Sequence, residues 1–168
     1  MVIPSYNIKR KVMKMRFYTH IAAAIIFYVI TFRFLGLHLS LTLAGVSLIA
    51  SLLPDIDTPR SISGRMFHPL SSILKAVFGH RGITHSILSL FLLTALLFKY
   101  SDIQFSISFF TGYSSHIILD MLGGGVRLLY PYRKKYRLTG KRIKKGEEPV
   151  FAFLLFLLAF ILIKTITP

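Results

Sequence analysis

Apolar residues in this chain come in long blocks separated by shorter polar connections. Five blocks, at residues 17–35, 39–54, 83–99, 104–122 and 149–166, approach the roughly 20 mostly apolar residues that a membrane-spanning helix needs. The second and third are short, which suits spans that tilt little or begin in the headgroup region. Between them lies "SISGRMFHPLSSILKAVFG". There Ile62, Met66, Leu70, Ile73, Leu74 and Val77 recur at helical spacing among Ser, Arg and Lys. That pattern predicts an amphipathic helix over residues 61–78, lying on the membrane surface, with Pro69 in its first turn. Residues 123–148, "GGGVRLLYPYRKKYRLTGKRIKKGEE", form a basic loop. No internal repeat is visible. The expected architecture is an all-α, multi-pass bundle of about five spans, forming a single integral membrane domain over residues 1–168.

Composition supports this reading and charge orients it. Hydrophobic residues make up 54% of the chain, above the share in an ordinary soluble domain. The first block follows "KRKVMKMR", a flank resembling that of a signal peptide. No small-residue cleavage site follows cleanly and further blocks come later, so a retained helix is expected. The net charge is +15, and its distribution is uneven. Of 21 Lys and Arg, only Arg33, Lys99 and Lys164 fall outside three segments: the N-terminal segment, the 55–82 connection and the 123–148 connection. With five alternating spans those three segments share one side. The positive-inside rule makes that side cytoplasmic, with the N-terminus inside and the C-terminus outside. The absence of cysteine excludes disulfides and thiolate metal sites, so any metal must take His nitrogen and oxygen ligands.

That topology gathers the rare polar side chains. The chain has only six acidic residues, and "LPDIDTPRS" places Asp55 and Asp57 at the cytoplasmic end of the second span. "GHRGITHS" places His80 and His85 at the cytoplasmic end of the third, and His116 and Asp120 close the fourth. His20 lies at the cytoplasmic start of the first. His116 and Asp120 are one helical turn apart on one face. Asp55 and Asp57, after Pro54 in an expected extended stretch, would point the same way. Ionisable groups at membrane depth cost about 2.5 kcal/mol or more each and are functional candidates by default. Taken singly, each has an ordinary explanation: an interfacial His20, a helix-ending turn at the Asp pair, an i,i+4 pair at His116 and Asp120. Their convergence at one depth does not. His38 and Asp102 fall on the outer side and are read as solvated. Glu147 and Glu148 suit the N-terminus of the fifth span electrostatically. Seven candidate ligands exceed one four-ligand zinc site, so one to three divalent ions are expected, with two, sharing a bridging Asp, favoured.

"LLPDIDTPRS", "HRGITHS", "HIILD" and "GVRLLYPYRKKYRL" together resemble the YdjM-like family of membrane-bound, metal-dependent hydrolases. The resemblance runs from about Thr19 to Leu138. The family is similar in motif to zinc-dependent phospholipase C and single-strand nucleases, which share a helical His-x-x-x-Asp element. It implies metal-site roles for His20, Asp55, Asp57, His80, His85, His116 and Asp120. Those soluble relatives use an N-terminal Trp, which this chain lacks.

The expected function is a zinc-dependent phosphoesterase acting on a phospholipid or other phosphate ester at the cytoplasmic leaflet of the cell membrane. Asp55 and Asp57 would serve the chemistry at the metal, and Arg81 would bind a phosphate oxygen or act as a positive-inside anchor. "YPYRKKYR" would hold anionic headgroups. The alternative is a non-catalytic metal-binding or transport protein, although spans one, two and five carry few polar groups beyond their cytoplasmic ends. Nucleic acid binding through the 127–145 loop is a third reading, because basic and aromatic residues are mixed there.

Overall fold

A computed structural model describes residues 15–79, 81–139 and 146–166. Seven α-helices follow one another among these residues: α1 Phe17–Phe34, α2 Leu41–Leu52, α3 Ile62–Met66, α4 His68–Phe78, α5 Ile87–Tyr100, α6 Ile103–Gly123 and α7 Glu148–Ile166. Short 3-10 turns, Leu53–Asp57 and Ile83–His85, follow α2 and precede α5. The described residues contain no strand, only an isolated antiparallel bridge between Val126 and Tyr136. The expected all-α class holds.

The bundle is organised around α6, which packs against α1, α2 and α5, while α7 lies along α1. Its polarity is inverted relative to a water-soluble domain. Ser47, Ser51, Ser106, Ser108, Thr111 and Ser115 are buried, mostly where α2 meets α6. Leu88, Phe91, Leu92 and Leu96 of α5, and Val150, Phe153, Leu154 and Phe160 of α7, are exposed. In lipid no hydrophobic force drives helices together, so small residues that let backbones approach make the interface. Gly112 shows how close the approach is: a Cβ there would lie 2.0 Å from the Ser47 carbonyl oxygen. The Ser108 hydroxyl donates across the same seam to the Leu43 carbonyl.

Several expected boundaries shift. Among the described residues, two helices are long and apolar enough to cross a membrane, Phe17–Phe34 and Glu148–Thr165. The block at 39–54 gives only the 12-residue α2 before the chain tightens into the 3-10 turn, because Pro54 lacks an N–H to continue the α-helical ladder. The block at 83–99 starts with a 3-10 turn, and α5 begins only after Ser86, whose hydroxyl caps it by accepting from the Ser89 N–H at 3.2 Å. The single surface helix expected over 61–78 is two helices broken at Phe67. Pro69 sits in the first turn of α4, as expected, and its ring would clash with the Arg65 carbonyl if the helix ran through. Met66, Phe67, Leu70, Ile73 and Val77 of this segment remain exposed.

Candidate metal centre

Four separate segments bring His and Asp side chains to one buried locus. α1 supplies His20, the first 3-10 turn supplies Asp55 and Asp57, the second supplies His85, and α6 supplies His116 and Asp120. His80, the remaining expected ligand, lies outside the described residues. Two groups have ligand atoms all within 4.8 Å of one another: His20 with His116 and Asp120, and Asp55 with His85 and His116.

The central distances are short. His85 Nε2 lies 3.3 Å from His116 Nε2 and 3.2 Å from Asp120 Oδ2. His116 Nε2 lies 3.7 Å from Asp120 Oδ2, and Asp55 Oδ1 lies 3.9 Å from His85 Nε2. Ligand atoms around a tetrahedral zinc, at about 2.0–2.1 Å from the ion, stand roughly 3.3 Å apart. His85, His116 and Asp120 are spaced close to that pattern, and Asp55 approaches it from the side of His85.

Tautomers support the same conclusion. His116 Nδ1 lies 2.6 Å from the Ser51 carbonyl oxygen, which can only accept, so the proton is on Nδ1. Nε2 of the neutral ring is then a bare lone pair. It faces His85 Nε2, and two nitrogens at 3.3 Å are well placed only when a cation or a proton lies between them. A metal-ligating His ordinarily donates its other N–H to a carbonyl or carboxylate, as His116 does here. His20 is 1% exposed, and neither ring nitrogen has a hydrogen-bond partner. Its ring stacks on that of His116, and its Nε2 lies 4.0 Å from Asp120 Oδ1. The residues therefore fit a divalent ion bound through nitrogen and carboxylate oxygen.

Asp55 and Asp57 part company. A 3-10 turn has three residues per turn, so side chains two positions apart diverge, whereas an extended stretch would have aligned them. Asp55 faces His85 Nε2, while Asp57 Oδ2 accepts the Arg81 backbone N–H at 2.8 Å and the Thr84 hydroxyl at 2.9 Å. The Thr58 hydroxyl donates to Asp57 Oδ1 at 3.0 Å. Burial pushes the Asp57 carboxyl up, but His85 beside it and the Thr84 and Thr58 hydroxyls outweigh that and hold it at about 2. Asp57 is thus a carboxylate standing on the outer side of His85.

Arg81 is buried, not exposed as a free anion hook. Its guanidinium contacts Asp120 Oδ1 at 2.6 Å, and its Nε has no hydrogen-bond partner. Its backbone turns at φ 54, between Gly79 at φ 74 and Gly82, where a Cβ would meet the Phe78 carbonyl oxygen at 2.2 Å. This turn delivers both the Arg81 N–H and Thr84 to Asp57.

Thr84, Ser51 and Glu148 were not foreseen as supports. Thr84 adjoins a candidate His, a usable signal, whereas nothing local marks Ser51. Glu148 was expected to serve the start of its own helix. Instead it is buried against α1, accepting from the Arg16 N–H at 3.0 Å, the Thr19 hydroxyl at 2.6 Å and the Tyr18 hydroxyl at 3.1 Å.

Fold and site together define a lipid-adapted helical bundle with a buried His–Asp centre. The model of the family described as YdjM inner membrane protein matches residues 15–167, and the chain belongs to that family of membrane proteins. It is 38% identical over 109 residues to the inner membrane protein YdjM of Escherichia coli (strain K12), covering 61% of this chain and 56% of that one. It is 36% identical over 98 residues to the uncharacterized protein YvsG of Bacillus subtilis (strain 168), covering 57% and 61%. The chain thus spans a little over half the length of these relatives. No solved structure matches it.

Proposed function

We propose that this protein is a metal-dependent phosphoesterase of the cytoplasmic membrane leaflet, with five spans and its N-terminus inside. The observation that carries the reading is the convergence of His85 Nε2, His116 Nε2 and Asp120 Oδ2 at 3.2–3.7 Å, with Asp55 Oδ1 3.9 Å from His85 Nε2. A divalent ion held there, zinc by the nature of the donors, would supply Lewis acidity toward a phosphoryl oxygen. His116 has a single lone pair to give, so the two ligand groups that share it describe one ion at a time. One ion on His85 and His116 with a carboxylate, Asp55 or Asp120, is the simplest loading of the described residues.

The protein's own residues would do the rest. Asp55, with its side chain 11% exposed, is the member of the set that reaches furthest toward the surface, where a substrate would arrive. Arg81 Nε offers a buried donor beside the centre for a phosphate oxygen. Exposed Arg133, Lys134 and Lys135 would hold anionic headgroups near it. The 3-10 turns after α2 and before α5 lengthen those short helices while carrying the ligands, in keeping with a centre at the edge of the hydrocarbon.

A second reading has one observation in its favour. Asp55 and Asp120 both flank His85, so two His and two Asp could close on one ion as in structural zinc sites, and a non-catalytic metal-holding or transport protein would need no open position. One experiment separates the two. The full chain, purified in detergent, is assayed for bound metal and then screened against phosphodiester and phospholipid substrates. Metal-dependent turnover lost in Asp55→Asn supports the phosphoesterase. Stoichiometric metal without turnover on any of them rejects it in favour of the second reading. No bound metal rejects both.

A further inference from the structure

We infer that Thr84 is a positioning residue that fixes the tautomer of His85, and through it the affinity of the centre for a divalent ion. The inference about affinity rests on the metal reading above, while the tautomer stands on geometry alone.

The assignment follows from counting protons. Thr84 Oγ1 lies 2.9 Å from Asp57 Oδ2 and 3.1 Å from His85 Nδ1. A hydroxyl has one proton to donate, and a carboxylate can only accept. The Thr84 proton is therefore committed to Asp57. Toward His85 the same oxygen can only accept, so Nδ1 must carry a proton. The chain runs from His85 Nδ1–H to Thr84 Oγ1–H to the Asp57 carboxylate. Its consequence is on the far side of the ring. A neutral His85 with its proton on Nδ1 presents Nε2 as a lone pair, and Nε2 is the atom facing His116 and Asp120.

Asp57 does not replace Thr84 in this role. His85 Nδ1 lies 3.6 Å from Asp57 Oδ2, beyond hydrogen-bond range, so the hydroxyl is the link between them. The surroundings hold that hydroxyl in place. The Tyr113 hydroxyl of α6 donates to the Thr84 carbonyl at 2.6 Å, and a β-branched side chain has few rotamers to choose from. The Arg81 N–H holds the same Asp57 oxygen from the other side at 2.8 Å. His116 reaches the same tautomer through a backbone carbonyl, so the two imidazoles are prepared by different devices for one task. An outer partner of this kind typically accounts for 10–100-fold in metal affinity.

The test compares Thr84→Val, which keeps the shape and removes the hydroxyl, with Thr84→Ser, which keeps the hydroxyl. The first readout is the 15N spectrum of His85 in the full-length, chelator-treated protein in detergent. Wild type and Thr84→Ser should show a protonated Nδ1, and Thr84→Val should shift toward a bare Nδ1, while Nε2 faces the Asp120 carboxylate in all three. The second readout is zinc affinity by chelator competition, with Thr84→Val expected to be about 10–100-fold weaker and Thr84→Ser near wild type. An unchanged His85 tautomer in a folded Thr84→Val protein would overturn the inference, as would a Ser variant no better than Val. The tautomer readout needs no metal. A wild type that binds no zinc would therefore count against the metal reading while the spectra still decide the role of Thr84.

Discussion

His20 and His116, from α1 and α6, stack face to face with ring centroids 3.8 Å apart and planes 11° from parallel. Two imidazolium ions would repel in that arrangement, so at least one ring is neutral. His20 has no hydrogen bond for either nitrogen, and an unsatisfied buried polar group costs about 1–3 kcal/mol. His20→Phe keeps an aromatic ring on His116 and removes that cost. The metal-free variant is expected to be more stable than the metal-free wild type, by about 1 kcal/mol. Thermal unfolding in detergent with chelator present checks this, and a clear loss of stability would show that the nitrogens are satisfied.

The seam between α2 and α6 makes a sharper mutational contrast. Gly112→Ala would press a methyl group into the Ser47 backbone and should cost about 1–3 kcal/mol. Gly45, also in α2, has nothing within 4 Å of its would-be Cβ, and Gly45→Ala should instead stabilise by roughly 0.5–1 kcal/mol. Unfolding midpoints of the two variants should move in opposite directions. Movement in the same direction would mean the close approach is not what holds α6 to α2.

Glu148 ties the start of α7 to the start of α1 through bonds to Arg16, Thr19 and Tyr18. Hydrogen bonds to a charged group contribute about 1.5–3 kcal/mol. Glu148→Gln turns one acceptor into a donor and should lower stability by an amount in that range. Combined with Thr19→Val, the two effects should fall short of additive, because both weaken the Thr19–Glu148 bond, which Glu148→Gln leaves without its charge. Full additivity in a double-mutant cycle would mean the pair is not coupled.

The five spans proposed above, with the skewed distribution of basic residues, would put the C-terminus outside. A C-terminal reporter active only outside the cytoplasm should be active, and its cytoplasmic counterpart silent. The reverse result would require an even number of spans.

Much of this architecture was legible because polar residues are scarce in the apolar blocks. His116 and Asp120 had to share a face, and His20 and His85 had to meet them, once alternating spans were assumed. What sequence pattern did not convey was local backbone form. Pro54 reads equally well as the start of an extended stretch or of a 3-10 turn, and only the turn separates Asp55 from Asp57. The apolar spacing runs unbroken from Ile62 to Val77 and so read as one helix over 61–78, which hid the break that Pro69 forces at Phe67. The supports were hidden for another reason. Ser51 acts through its carbonyl, which every residue has, and Glu148 acts across a contact between helices far apart in sequence.

The clasp of Glu148 on α1 bears on the order in which the molecule is made. A chain emerging from a ribosome delivers α1 to the bilayer first, with His20 already in it and His85, His116 and Asp120 still unmade. No ion can be gripped by the full set until α6 has joined. α7 comes later still, bringing Glu148 to Arg16 and Thr19, immediately before His20. Biogenesis therefore has an interval in which the His–Asp cluster is assembled and α1 is not yet fastened, and the ion proposed above would enter most easily then.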